Sequence, residues 1–248
     1  MNSYLQKIGR IRAQLASEGA AGAVLSTPDN IFYATGFSSV MDGWHLVEPI
    51  AAVFVPADAA PPVVLILPEA SVISPIVSER GGHPVHFDRL ATFDMLNFCE
   101  TARAEDAHLA LPADLLAELG DVKEQVEGQC EADIIHSIAA CLSRHVSKKE
   151  QILFDDLRVA SRVEALTGQA SGDALDAMFA ARAVKTADEL DTLRESGQIA
   201  DAIMAYTMSQ LGVGKSWSEV EKQVAHFMID HDVDPLPGSP MLFGGATN

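Results

Sequence analysis

The stretch IAAVFVPADAAPPVVLIL, residues 50–67, decides the fold. Two apolar, β-leaning runs, residues 50–55 and 63–67, flank the turn Ala57-Asp58-Ala59-Ala60-Pro61-Pro62. Short apolar runs separated by Pro and Asp read as neighbouring strands of one sheet. Upstream, residues 23–25 are a third short strand. An amphipathic helix is predicted before it over residues 4–18, where Tyr4, Ile8, Ile11 and Leu15 fall at i, i+4, i+7 and i+11. Gly19 and Gly22 bracket its end, as C-terminal glycines do. Thr27-Pro28-Asp29-Asn30 is a break and a new helix start, and Gly36 closes that turn.

Downstream, residues 69–80 are predicted helical, 84–87 extended, 92–103 helical and 108–111 extended. Strands alternating with helices up to about residue 112 give an α/β domain. From Pro112 the pattern turns mostly helical, with 132–143 and 149–166 as the strongest stretches. The small, polar segment Gly168-Gln169-Ala170-Ser171-Gly172 marks the expected boundary between a domain over 1–170 and a second over 171–248. The second opens with Thr186-Ala187-Asp188-Glu189, a capping box with Thr at the cap and Glu three residues on. Leu190, Leu193, Gly197, Ala200, Met204 and Leu211 stripe the helix behind it. Ser216-Trp217-Ser218-Glu219 is a second capping box, followed by the stripe Val220, Val224 and Phe227. The tail from 233 to 248, with Pro235, Pro237 and Pro240, is not helical.

Composition narrows the function classes. Hydrophobic residues make up 48% and charged residues 21%, enough apolar side chains for a true core. Lys and Arg number 17 against 35 Asp and Glu, a formal charge of −18 that repels phosphate backbones and anionic lipid heads. Nucleic-acid and membrane partners are therefore not expected. No apolar run approaches the roughly 20 residues of a membrane span, and no signal peptide is visible, so the expected location is cytoplasmic. Cys99, Cys130 and Cys141 are widely spaced, odd in number and without a CxxC, so they read as buried free thiols.

Several local clusters invite a chemical reading and most fail it. In Asp230-His231-Asp232-Val233-Asp234 the acids match positions 1, 3 and 5 of a calcium loop. Pro235 then stands where glycine is required and Met241 where a bidentate Glu is required. His226 and His231 are five apart, not the i, i+4 pair of a helical zinc site. Ser143, His145 and Ser147 lie close together without a G-x-S-x-G elbow. Gly212-Val213-Gly214-Lys215-Ser216 contains Gly-Lys-Ser but follows a helix and lacks the earlier glycine of a phosphate loop. It reads as a helix C-cap followed by an N-cap. Asp42-Gly43-Trp44-His45 sits in a loop, where bulky and titratable residues are a functional hint.

Three segments together resemble one family. Thr27-Pro28-Asp29-Asn30-Ile31-Phe32-Tyr33-Ala34-Thr35-Gly36-Phe37 is similar to the "P-x-N-I-x-Y-x-T-G-F" stretch in the N-terminal domains of creatinase, prolidase and aminopeptidase P. Ala181-Arg182-Ala183-Val184-Lys185-Thr186-Ala187-Asp188-Glu189-Leu190 resembles that family's "R-x-x-K-(S/T)-x-x-E-(I/L)" lead into the catalytic domain. Phe243-Gly244-Gly245-Ala246-Thr247-Asn248 resembles the strand and turn before the family's first active-site histidine.

The resemblance implies an α/β N-terminal domain, a mixed sheet flanked by helices, followed by an incomplete α+β pita-bread domain. It implies a dimeric metallohydrolase of Xaa-Pro dipeptidase or aminopeptidase P type, acting on a peptide with two divalent metals (Mn, Co or Zn). Two aspartates, a histidine and two glutamates hold those metals in the family, all beyond the equivalent of Asn248. No catalytic or metal-binding residue is therefore carried over, and this chain alone is expected to be inactive. Creatinase-like C–N hydrolysis of a small molecule and a non-catalytic dimerisation or binding module are the alternatives. Trp44 and His45 are assigned to the substrate side, because this part of one subunit lies near its partner's active site in the family.

Overall fold

A computed structural model describes residues 3–39, 48–95 and 112–233 of the chain. It divides into two compact units, Met1–Val184 and Lys185–Asn248. Ser171 and Gly172, at the end of the segment read as a boundary, belong with Asp173 to the last strand of the first unit's sheet, and the helix over Leu175–Ala183 follows within the same unit.

In the first unit, α1 (Ser3–Ser17), β1 (Gly22–Leu25) and α2 (Pro28–Thr35) come first. They lead into β2 (Ala52–Pro56), β3 (Val64–Pro68), α3 (Ser74–Arg80) and β4 (Arg89–Phe93). Then follow α4 (Ala113–Glu124), α5 (Ile134–His145), β5 (Ile152–Phe154), α6 (Leu157–Thr167), β6 (Ser171–Asp173) and α7 (Leu175–Ala183). The strands form one mixed sheet in the order β4-β3-β2-β1-β5-β6. The β1–β2 and β2–β3 pairs are antiparallel. The β3–β4, β1–β5 and β5–β6 pairs are parallel.

The central strands are buried on both faces, which is why they read as unbroken apolar runs. Side chains alternate between two cores. Leu25, Val53, Val55, Leu65 and Leu67 face α1, α2 and α7, where Ile11, Leu15, Tyr33 and Met178 meet them. Val24, Phe54, Val64, Ile66 and Phe154 face α5 and α6, against Ile138, Cys141, Leu142 and Val163. A one-residue slip in β2 would exchange Phe54 with Val53 or Val55 and misfill both layers.

Three local expectations are corrected. Residues 84–87 form no strand; the chain pairs one step later, as β4, whose residues 92 and 93 fall inside the stretch read as helix. The predicted helix over 69–80 is split by Val72 and Ile73 into a 3-10 turn, Glu69–Ser71, and α3. Residues 149–166 are not one helix: Ile152-Leu153-Phe154 is β5, and Asp156, whose carboxylate accepts from Arg158 N at 2.8 Å, starts α6. A three-residue strand is too short to show a period of two, so it was hidden inside a helical pattern. The extended segment expected at 108–111, Cys99 and the tail from 234 lie outside the described residues.

Gly36 shows where glycine is required. It ends α2 at φ 78°, with its N–H donating to Phe32 O at 2.7 Å. A Cβ there would stand 2.7 Å from the Pro84 carbonyl oxygen. Left-handed backbone and close approach together leave room for no side chain.

In the second unit, α8 (Ala187–Gln210) and α9 (Trp217–Ile229) begin as their capping boxes specify. Thr186 Oγ1 accepts from Glu189 N, and the Glu189 carboxylate accepts from Thr186 N. Ser216 and Glu219 repeat the arrangement. Tyr206 of α8 stacks on Phe227 of α9 with ring centroids 4.2 Å apart.

Candidate functional site

The first two motif segments meet in the structure although about 150 positions separate them. Their meeting point is the end of β1. Asp155, just past β5, reaches across and accepts five hydrogen bonds. Its Oδ1 takes Ser26 N (2.7 Å) and Ser26 Oγ (3.2 Å). Its Oδ2 takes Thr27 N (3.1 Å), Thr27 Oγ1 (2.6 Å) and Asn30 Nδ2 (3.0 Å). Thr27 is the N-cap of α2, yet its hydroxyl donates outward to Asp155 instead of accepting from the helix. The carboxylate of another strand thus sits at the helix N-terminus, where the backbone dipole favours negative charge.

Asn30 passes the connection on. Its Oδ1 accepts from an Arg182 guanidinium nitrogen at 2.9 Å. Tyr33, one helical turn later, donates its hydroxyl to Ala181 O at 2.9 Å. A carboxylate offers about four lone-pair positions, and five donors occupy those of Asp155. It is therefore an anchor for the turn and has no lone pair left to act as a base. The motif residues Thr27, Asn30, Tyr33 and Arg182 hold β1, α2, β5 and α7 together; they do not form a reaction centre.

A second polar group lies against the other core. Cys141 and His145 stand one turn apart on α5, and Glu127 approaches from the segment between α4 and α5. His145 Nε2 is 3.0 Å from Glu127 Oε1 and 2.9 Å from Oε2. Arg144 lies 3.6 Å from the same carboxylate. The His145 ring stacks on Phe54, with centroids 6.2 Å apart and planes at 14°. Burial pushes the Cys141 thiol well above its usual range; the Glu127 charge adds to the shift and Arg144 opposes it. Ser143 is not part of this group, since its hydroxyl donates to Ala140 O at 2.8 Å. With His145 Nε2 engaged by Glu127 and the Ser143 hydroxyl by Ala140 O, these two do not form a nucleophile–base pair.

Among the described residues, Glu127, Cys141 and His145 are the one group of three ligand-type side chains with ligand atoms within 4.8 Å of one another. One carboxylate, one thiol and one imidazole do not fit a two-metal cage of aspartates, glutamates and histidine. Bridging a pair of hard cations needs several carboxylates. No hydrolytic step is assigned to these residues.

The other sequence candidates resolve simply. Residues 212–216 are a turn between helices, with Gly214 at φ 87° and Ser216 capping α9. Asp230, His231 and Asp232 end α9, and a His231 ring nitrogen lies 2.8 Å from Phe227 O, as in a helix-end turn. Cys141 is buried but Cys130 is exposed, against the expectation of buried thiols. Trp44 and His45 lie outside the described residues. Sequence reading missed Asp155 and Glu127. Asp155-Asp156 directly after an apolar triplet was an available signal, being the usual way a strand ends and a capped helix begins. Glu127 carried no local signal, because its partners come from a helix it does not belong to.

Residues 7–73 match the family model described as Creatinase/Prolidase N-terminal domain. Among solved structures, a recombinant prolidase from Thermococcus sibiricus matches with a TM-score of 0.60 at 14% identity, over 93% of this chain and 51% of its own. The dipeptidase PepE from Mycobacterium ulcerans gives 0.56 at 18% identity, over 92% and 49%. The Xaa-Pro dipeptidase from Bacillus anthracis gives 0.55 at 16%, over 92% and 49%. No curated protein sequence matches. The fold is that of these enzymes, and the chain spans about half their length. No helix among the described residues is long and apolar enough to cross a membrane.

Proposed function

We propose that this chain serves an Xaa-Pro peptide hydrolase as its N-terminal domain together with the opening of its catalytic domain. The fold likeness to a prolidase over 93% of the chain carries this reading. The described residues supply scaffold and no hydrolytic centre: the polar network around Asp155 is saturated, and the group at Glu127 does not suit a metal pair. Substrate cleavage then belongs to a longer polypeptide, as a dimer. In it, Trp44 and His45 lie on the substrate side of the partner subunit's pocket.

Two measurements test this. The 248-residue chain, incubated with Xaa-Pro dipeptides and Mn, Co or Zn, is expected to release no proline above background. Steady turnover would overturn the assignment of catalysis elsewhere. Sequencing the gene beyond the Asn248 codon is expected to reveal an open frame encoding His, two Asp, a further His and two Glu. A frame without them would remove the hydrolase reading and leave a non-catalytic binding module. For the loop, His45→Ala in the longer polypeptide is expected to alter catalytic constants; unchanged values would end its assigned role.

A further inference from the structure

We propose that Glu127, Cys141 and His145 form a binding site for a single borderline-soft divalent cation, zinc in chemical class. Cys141 and His145 are four residues apart on α5, the spacing that places two ligands on one helical face. Glu127 is held opposite them by the backbone. Its N–H donates to Leu90 O at 2.7 Å, and the Gln125 carbonyl accepts from Leu90 N at 3.0 Å, so β4 fixes the segment on both sides of Val126. Gly128, at φ 76°, turns the chain immediately afterwards. A Cβ there would collide with the Arg144 guanidinium at 2.0 Å.

The three ligand atoms lie within 4.8 Å of one another. Four-coordinate zinc, with Zn–N and Zn–O near 2.0–2.2 Å and Zn–S near 2.3 Å, spaces its ligand atoms about 3.3–3.7 Å apart. The His145–Glu127 separation of 2.9–3.0 Å need open by only a few tenths of an ångström. The sulfur needs to close on the pair by about one. Without a cation, the hydrogen bond between His145 Nε2 and the Glu127 carboxylate fills this place. The cation would take the place of that hydrogen bond, with His145 ligating as neutral imidazole through Nε2 and carrying its proton on Nδ1, while the Cys141 thiol gives its proton to solvent and binds as thiolate. Thiolate and carboxylate together cancel the ion's double charge, which limits the cost of burying it, and leave Arg144, 3.6 Å from the carboxylate, as an uncompensated cation beside the group. Three protein ligands leave a fourth position for water. The donor set, with sulfur and nitrogen beside one oxygen, favours zinc or cobalt over magnesium, calcium or manganese.

Cobalt(II) reports directly on the sulfur. Titrating the chelator-treated 248-residue chain with Co²⁺ is expected to give a near-ultraviolet thiolate-to-cobalt charge-transfer band that saturates at one equivalent and is displaced by Zn²⁺. Cys141→Ser and His145→Ala are expected to abolish the band. Glu127→Gln is expected to weaken binding by about ten-fold or more. Cys99→Ser and Cys130→Ser are expected to retain it. Circular dichroism verifies that each variant folds, and Glu127→Gln, which keeps size and shape, stands in should the Cys141 variant misfold. Absence of the band in the parent chain, or its persistence in His145→Ala, would overturn the proposal.

Discussion

Unit Met1–Val184 buries apolar side chains on both faces of a six-stranded sheet, whereas the described part of Lys185–Asn248 buries two, Val220 and Val224. Both units obey the same local rules. The helices α8 and α9 have the better start signals, with two complete capping boxes, while α2 carries no capping bond from its own N-cap side chain. Yet none of the 24 residues of α8 is buried, and Leu193, Met204 and Met208 are mostly exposed. Capping decides where a helix begins; burial decides how firmly it stays. Stability in this chain is therefore expected to be concentrated in the first unit.

The sharpest way to break that contrast is to cut matched apolar side chains from each unit. Phe54→Ala, at a fully buried central strand, is expected to cost about 3–5 kcal/mol in denaturant unfolding. Met204→Ala, 63% exposed on α8, is expected to stay within about 0.5 kcal/mol. Equal effects would mean that α8 is covered in solution. Hydrogen exchange on the same samples should show α8 amides exchanging well before those of β2 and β3, and uniform protection would refute the difference.

Next in size is the anchor between the motif segments. Asp155→Asn keeps the shape but turns an acceptor oxygen into a donor facing Ser26, Thr27 or Asn30. The expected loss is about 2–3 kcal/mol, read as a lower denaturation midpoint with an unchanged slope. A neutral result would show that the five bonds are not what ties β1 to β5.

In the second unit, Thr186→Ala is expected to cost about 1 kcal/mol, appearing as fraying of the first turn of α8 in amide exchange and not as loss of the first unit's fold. The smallest effect is a pH dependence. The Arg158 guanidinium and backbone N–H hold the Asp156 carboxyl below its ordinary range, and partial burial only offsets this. A carboxyl lowered in the folded state adds stability above its unfolded pKa of about 3.9, and that stability is lost as pH falls through the lower folded value. Asp156→Asn, itself a good N-cap, should shallow the acid loss while leaving stability near neutrality little changed.

The sequence carried the sheet's centre and the helix starts well. The runs at 50–55 and 63–67 became β2 and β3, and α1, α2, α8 and α9 began within a residue of their signals. It failed where an element is too short for a period to show, as in β5 and β6, and where meaning depends on a distant partner. Thr27, Asn30, Tyr33 and Arg182 were legible as a pattern. That they touch Asp155, one another or α7 was not, because hydrogen bonds between positions 30 and 182 leave no trace in local spacing. The group at Glu127 was half visible: His145 stood out, but beside serines, whereas its partner is a glutamate 18 positions earlier.

The placement of β1 has a consequence for the protein's birth. Gly22–Leu25 can zip to β2 soon after both leave the ribosome, but its other side waits for Ile152. At about 5–20 residues per second, that wait lasts roughly 6–25 s. Throughout it, an apolar strand edge is open on every growing copy, and neighbouring copies on one messenger are each other's nearest substitutes for β5. Production of this protein should thus depend on how crowded its ribosomes are and on holdase chaperones, more than its finished stability would suggest.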